Sequence, residues 1–482
     1  MKRAARVVAG SFVVAVGFLA CGDDDSTPAP APTIDGAAPD TNAPKVDASS
    51  GADGGVDSSS PTDAGQDSSA EASTDASTSI TVTGKIISYG VPVANAAVIV
   101  AGKTPVTTSV LGTFTVPDVK PPYDVAFASS TTRITVYQGL TRADVVLVAY
   151  GPNGVPLPTQ HQTTDLTGQV GGGPGLPFSD SPIVTISGGS ALSGLATANA
   201  TTGNYAMSSV QPPTWFGPAT TIVGRVHATL VQGAVGSEKG YYGKATADVS
   251  LTDSSLPGGQ NVVLDEVGMA EVTINGDGPL AYNDSPKLDL RPGIRIEESG
   301  GYFSPQPGGL TLPFSVKRKF PKVPGASLYA ELLYNRFAKD TESSLVRASA
   351  TAAAAVTVAP VLAEPPRPSA PAGGATNVNA TTTFEFSKFA GGVHRVSFVS
   401  DGNPTVTVFT TGTSVKLPDL AAFTLALPKG ALYTWRVFGY GPLTSLDDPK
   451  LASIIDVPDS NLPPVAEARI AASETRTFTT AP

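Results

Sequence analysis

Cysteine and histidine carry much of the chemistry that proteins perform, and this 482-residue sequence is poor in both. It has one cysteine, Cys21, and three histidines, His161, His227 and His394. No two histidines form an H-x-H or H-x-x-x-H pair and no second thiol exists, so the spacing of a zinc site is missing. No G-x-S-x-G element marks a nucleophile elbow, although folding can bring distant residues into a triad. His161 stands in a Pro/Gly-rich connection. His227 in "VGRVHATLV" and His394 in "GGVHRVSFV" lie in strand-like runs and are expected to face solvent. The segment "NGDGPLAYND" (275–284) has calcium-loop composition. Thr273 stands where that loop needs a carboxylate, so a glycine-rich turn is expected. The "KRK" cluster (317–319) is able to meet anionic lipid or lipopolysaccharide. Its flanks Phe314, Val316 and Phe320 favour a strand with one charged, wet face. The chain is expected to need no metal or cofactor and not to be an enzyme.

Aromatic side chains offer binding instead of catalysis. "PPTWFGP" (212–218) sets Trp215 and Phe216 between turn formers, and Tyr241 and Tyr242 begin a strand-like run. Exposed rings stack on sugars or prolines, which makes Trp215, Tyr241 and Tyr242 the candidate ligand-binding set. The alternative is that one ring of each pair fills a core.

The lone cysteine follows Lys2, Arg3 and Arg6 and the apolar stretch from Val7 to Ala20. Fourteen residues are too few for a membrane-spanning helix, which needs about 20, but they suit the apolar region of an export signal. Leu19-Ala20-Cys21 resembles the lipobox of bacterial lipoproteins, with Phe18 where that family usually has Leu. The resemblance implies cleavage before Cys21 and lipidation of its thiol. An ordinary cleaved signal with a stray thiol is the alternative. Gly22 follows, not the aspartate of inner-membrane retention, so an outer-membrane anchor is expected, on either face. Several acyl chains hold a protein to a bilayer stably where one does not.

Residues 22–78 are built from Asp, Ser, Ala, Gly, Thr and Pro. They hold eleven Asp, Glu71 and Lys45, a net charge of −11 in a chain whose total is −10. Such a tract cannot bury enough apolar surface to offset its ordering entropy, so a disordered tether is expected. "DGGVD" and "DSSSPTD" lack the spacing of a calcium loop. The signal carries +3, so the remainder is near neutral at −2. A nucleic-acid partner is therefore disfavoured.

From Ser79 onward, glycine and proline punctuate short runs rich in Val, Ile, Thr, Phe and Tyr, and the fold class is read as all-β, a tandem of β-sandwich modules. The chain also resembles itself. "TVTGKI" (81–86) answers "DLTGQV" (165–170), "VIVAG" (98–102) answers "VTISG" (184–188), and "GTFTVPDVKPP" (112–122) answers "GNYAMSSVQPP" (203–213). A fourth pair is "YQGLTRADVVL" (137–147) and "YYGKATADVSL" (241–251). Order is kept and insertions fall between segments, the pattern of a duplicated unit. In "GTFTV" the alternation places Phe114 and Val116 on one face, and the leading glycine suits a turn with positive φ.

The first copy resembles the carboxypeptidase regulatory-like family through Val82, Gly84 and Ile86, then Pro92, Val93, Asn95, Ala96 and Val98, then Gly112 and Phe114. Asn95 replaces the usual Gly, and Ser109 stands where the family often has Asp. The resemblance implies a seven-stranded, transthyretin-like sandwich without peptidase chemistry. The C-terminal runs are similar to a fibronectin type III domain, with Phe384 or Phe386 at the usual core Trp and with Leu420 and Tyr433 at its Leu and Tyr. "SLYAELLYNRFAK" (327–339) fits either a helical or a strand period.

The expected organisation is a signal (1–20), the lipidated cysteine and tether (21–78), and four modules at 79–158, 159–265, 266–364 and 365–482. With no disulfide available, each module is expected to rely on its own core. The expected role is a non-catalytic, lipid-anchored envelope protein, monomeric, serving as a structural, adhesive or binding platform. Its partners are the membrane and an envelope polysaccharide or protein. The alternative is a carbohydrate-binding accessory.

Overall fold

The structure is a computed structural model. It describes residues 79–482 apart from 89, 101, 131, 150–164, 188–193, 209–220, 235, 253–256, 284–286, 297–299, 304–309, 337–339, 352, 354 and 457–464. The signal, Cys21, the tether, His161, Trp215 and Phe216 lie outside the described residues.

The first stretch contributes β1 (Ile80–Ser88), β2 (Val91–Pro92), β3 (Ala97–Val100), β4 (Val106–Thr107), β5 (Thr113–Val119), β6 (Tyr123–Ser130), β7 (Arg133–Leu140) and β8 (Asp144–Val148). The second contributes β9 (Asp165–Gly172), β10 (Ile183–Ser187), β11 (Gly194–Thr197), β12 (Asn204–Ser208), β13 (Thr221–Gln232), β14 (Lys239–Lys244), β15 (Val249–Thr252) and β16 (Val262–Val267). The third holds β17 (Met269–Gly276), β18 (Leu288–Ile296), β19 (Gly300–Phe303), β20 (Phe314–Pro321), β21 (Ser327–Tyr334), β22 (Ser343–Thr351) and β23 (Ala355–Val358). The last holds β24 (Pro368–Ala370), β25 (Ala375–Val378), β26 (Thr383–Phe386), β27 (Val393–Val399), β28 (Thr405–Thr410), β29 (Ser414–Lys416), β30 (Leu432–Gly441), α1 (Leu451–Ile455), β31 (Ala468–Ala472) and β32 (Arg476–Thr480). The fold is all-β, as the alternation and turn residues imply. The ambiguous run 327–339 is a strand over Ser327–Tyr334 because β18 and β22 pair with both of its edges.

The two repeat copies share one pairing scheme. β1 takes β5 antiparallel and β8 parallel, and β9 takes β12 antiparallel and β16 parallel. The parallel partner in the second copy is thus β16, not the "DVSL" that the sequence matches to β8. That segment forms β15 and adds to β13. Gly112 and Gly203 have φ of 71° and 72°. A Cβ on either would press on a carbonyl oxygen, Ile86 at 2.6 Å or Val170 at 2.1 Å, so only glycine fits. Asn95 holds φ 58°, a left-handed conformation that asparagine adopts more readily than most residues. The Ser109 hydroxyl accepts the Leu111 and Thr113 N–H groups at 3.2 Å, bracing the turn before β5.

The expectation of one self-contained core per module holds for the second and third stretches and fails for the first and last, which share theirs. A 14-stranded sheet runs from β19 to β4 through the third, last and first stretches. Its joints are β22 with β31, antiparallel from Ser343↔Ala472 to Arg347↔Ala468, and β28 with β7, parallel from Thr405↔Arg133 to Phe409↔Tyr137. One core combines first-stretch residues such as Val98, Phe127 and Tyr137 with Phe409, Tyr440, Leu451 and Ile455 of the last. A second core joins Ile134 and Val136 to Phe384, Phe398, Trp435 and Phe478. In the second stretch β14 meets β16 of its own copy, whereas in the first the equivalent edge of β7 receives β28. Among the described residues, only there does a distant strand complete a repeat copy.

Candidate functional site

His227 and His394 are both buried, at 1% and 0% exposure, which corrects the expectation that they face solvent. His227 does point away from the core of its own sandwich, which takes Val226 and Ala228. That outer face is covered because β20 lies against β13 and β14, and β19 against β10. Gly240 allows the close approach, since a Cβ there would sit 2.6 Å from Met269 Sδ and 3.0 Å from Pro321 Cα. His227 Nε2 lies 2.6 Å from Ser187 Oγ, and its Nδ1 lies 2.9 Å from the Tyr242 hydroxyl. The Tyr242 ring stacks on the imidazole at 6.0 Å and packs against the third core.

A serine and a phenol bracketing an imidazole is the outline of an activated nucleophile. Two facts count against that use. Ser187 is buried at 0% exposure, so no acyl group can approach Oγ. A phenol also lacks the carboxylate charge that stabilises an imidazolium. The arrangement instead satisfies polar groups buried where two sandwiches meet. Sequence reading missed it because Ser187, His227 and Tyr242 come from three strands with no shared local pattern.

Tyr241, the other described member of the aromatic set, is buried at 5% exposure in the second core. The structure therefore turns the two tyrosines to opposite faces, one inward and one onto His227. Trp215 lies outside the described residues. His394 Nε2 accepts the Phe389 N–H at 2.8 Å, and burial lowers its pKa to about 4, keeping the imidazole neutral. The "KRK" cluster lies in β20. Lys317 reaches Glu271 at 2.8 Å, and Lys319 reaches Glu238 of the second stretch at 3.0 Å. The 275–284 segment ends β17, accepts the Gly278 N–H on Asp277 Oδ1 at 2.7 Å, and turns through a 3-10 helix at Leu280–Tyr282. Among the described residues no cluster of His, Cys, Asp or Glu has the make-up of a metal site.

A concave feature lies where the first stretch meets the segment 442–456. A cleft of about 480 Å³ is lined by Lys85, Arg142, Asp144, Val146, Asp447 and Asp448 among others. Its wall is fixed by Asp447, whose carboxylate accepts the backbone N–H groups of Thr141 (3.1 Å) and Arg142 (3.2 Å). Arg142 in turn donates to the Asp447 carbonyl at 2.8 Å and to Asp144 at 2.7 Å. This pairing holds the Asp144 carboxyl below the usual carboxylate range.

No protein-family model matches the chain. No curated protein matches it either. Among solved structures it is similar to a Streptococcal ancillary pilin, at 12% identity and a TM-score of 0.15, over 58% of this chain and 93% of that one. It is also similar to the Bacillus anthracis TIE protein, at 9% identity and 0.14, over 70% of this chain and 60% of that one. A third is the pair of B repeat units of the collagen binding protein of Staphylococcus aureus, at 10% identity and 0.13, over 77% and 94%. Likeness at these scores carries no argument about function.

Proposed function

We propose that this chain is a non-catalytic, lipid-anchored protein of the bacterial envelope that displays an interlocked β-sandwich array as a structural or adhesive platform. The observation that carries the reading is the sheet that passes from the third stretch through the last into the first. Independent beads would bend at every linker, whereas backbone ladders across module borders resist bending and hold surfaces in fixed register. Among the described residues Ser187, His227 and His394 are buried, which supports the non-catalytic reading.

The anchor rests on the sequence around Cys21. Replacing it, Cys21→Ala, is expected to move the mature protein from the detergent phase to the aqueous phase and to abolish incorporation of labelled fatty acid. Equal partition of both proteins would remove the anchor from this reading. The glycan-binding alternative now leans on Trp215, because Tyr241 is in a core and Tyr242 is engaged with His227. A glycan array probed with the chain from Ser79 separates the two: saturable binding lost in Trp215→Ala favours the alternative.

A further inference from the structure

The cleft beside Asp447 has a floor and one wall. The floor is the outward face of β8, β1 and β5, on which the strand register lays six side chains in two rows. Asp144, Thr83 and Thr115 form one row, and Val146, Lys85 and Thr113 form the other. Neighbours in such a grid stand about 5 Å apart across strands and about 7 Å along them. The wall is the segment of the last stretch around Asp448, Pro449 and Ala452. The Asp447 carboxylate fixes that wall by accepting the Thr141 and Arg142 N–H groups. The cleft of about 480 Å³ therefore depends on the docking of the last stretch on the first. Its volume lies in the range of small-molecule sites.

The fold already uses most of the charge here. Arg142 is bonded to Asp144 and to the Asp447 carbonyl, and the Asp447 carboxylate is bonded to the loop after β7. The groups left over are mixed in kind. Among the described residues the half-buried Lys85 ammonium and the exposed Thr115 hydroxyl have no hydrogen-bond or ion-pair partner. Asp448 accepts the Lys450 N–H on Oδ1 at 2.9 Å and keeps Oδ2 for other donors. The Thr83 hydroxyl donates to the Ala143 carbonyl at 3.3 Å and keeps its lone pairs. Between these polar groups lie apolar ones, Val146 at 48% exposure and the Pro449 and Ala452 side chains of the wall.

We infer that this cleft binds a neutral oligosaccharide. A sugar hydroxyl both donates and accepts, so neighbouring hydroxyls satisfy a site that offers an ammonium, a carboxylate oxygen and two threonines. The C–H face of the same ring covers Val146 and Ala452. The charge balance opposes an ionic partner of either sign, because one cation (Lys85) and one anion (Asp448) are left uncommitted. A polycation meets Lys85, and a polyanion meets Asp448. The site rests on the platform reading, to which it gives a ligand, and it involves neither Trp215 nor the anchor at Cys21.

The test probes an array of neutral and uronic-acid oligosaccharides with the full chain and measures the best binder by calorimetry. Saturable binding of a neutral oligosaccharide is expected, at least tenfold tighter than that of its uronic-acid counterpart. Lys85→Ala and Thr115→Val remove groups that the fold does not use, so each is expected to weaken binding about tenfold while Tm is kept. Should either fold poorly, Asp448→Asn, whose amide oxygen still accepts the Lys450 N–H, is expected to weaken binding by a similar factor. The inference is overturned by an array on which no neutral oligosaccharide binds, or by equal binding of the acidic ones. Binding that survives these substitutions overturns it too, as it would if Trp215 carried the glycan. The platform reading outlasts each of those results, since it rests on the continuous sheet.

Discussion

The Asp447 carboxylate accepts the Thr141 hydroxyl at 2.7 Å as well as the Thr141 N–H, joining the loop after β7 to a segment 306 residues later. Around this contact Leu446, Leu451, Ile454 and Ile455 close the core that β1, β5 and β8 open. The first sandwich is therefore finished by the last one. Gly90 N–H adds a second bond across the same border, to Asp456 at 2.7 Å.

If the border is structural, its removal should be felt on both sides. Asp447→Ala is expected to cost roughly 2 kcal/mol, because two backbone donors lose a charged acceptor. Hydrogen exchange should quicken in both 141–148 and 442–456. A rise confined to one side would contradict the interlock.

Core sharing makes a stronger demand on fragments. Residues 79–158 alone lack Phe409, Tyr440, Leu451 and Ile455, so the fragment is expected to show no cooperative thermal transition. Co-expression with residues 365–482 should restore one. A sharp transition in the isolated fragment would refute the sharing.

His394 predicts a pH dependence. Above about pH 6.5 folded and unfolded chains both hold a neutral imidazole, and the full stability is present. As pH falls, the unfolded chain takes up a proton that the folded chain resists until about pH 4. Stability therefore drains between about 6.5 and 4, by about 3 kcal/mol from this group. Urea unfolding at pH 7 and pH 4.5 measures the loss, which should shrink in His394→Gln.

Trp435 separates volume from hydrogen bonding. It is fully buried, edge-on to Phe384 at 5.1 Å, and its indole N–H has no hydrogen-bond partner. Trp435→Ala should cost roughly 3–5 kcal/mol. Trp435→Phe should cost under about 1.5 kcal/mol, since it deletes a buried unsatisfied donor along with some volume. Equal losses in the two variants would contradict this reading, since the volume removed is far larger in the alanine variant.

Tyr242→Phe tests the contact between the second and third stretches. Losing the hydroxyl leaves His227 Nδ1 without this partner, at a cost of about 1–2 kcal/mol in thermal or urea unfolding. A neutral result would mean that the ring packing, not the hydrogen bond, secures the border.

Local pattern was enough for much of the fold. Alternation in "GTFTV" put Phe114 and Val116 inward, at 4% and 3% exposure, and the glycines at 112 and 203 take the positive φ that their turns need. Phe384 and Phe386 are buried as core aromatics, and Leu420 and Tyr433 are buried with them, the tyrosine donating to the Pro404 carbonyl at 3.0 Å. The alternation and the turn glycines are properties of neighbouring residues, and a period of two records the alternation along the chain, whereas Leu420, in a 3-10 helix, and Tyr433 were expected only from the fibronectin type III resemblance. The fourth repeat segment shows the limit of that record. "DVSL" matches "DVVL" by letter, yet β16 takes the parallel place beside β9.

Tertiary structure alone decided what covers each outward face. His227 alternates correctly with Val226 and Ala228, and its burial comes from strands of another stretch laid over it. Lys319 reads as a wet-face charge and reaches Glu238 across the same border. The edge of β7 carries no letter saying that β28 will pair with it. Backbone donors and acceptors are alike at every residue, and a contact between residues 134 and 406 leaves no periodicity in either neighbourhood. Sequence fixes which way a side chain points along its strand, and only the packed chain determines whether water or another sheet waits on that side.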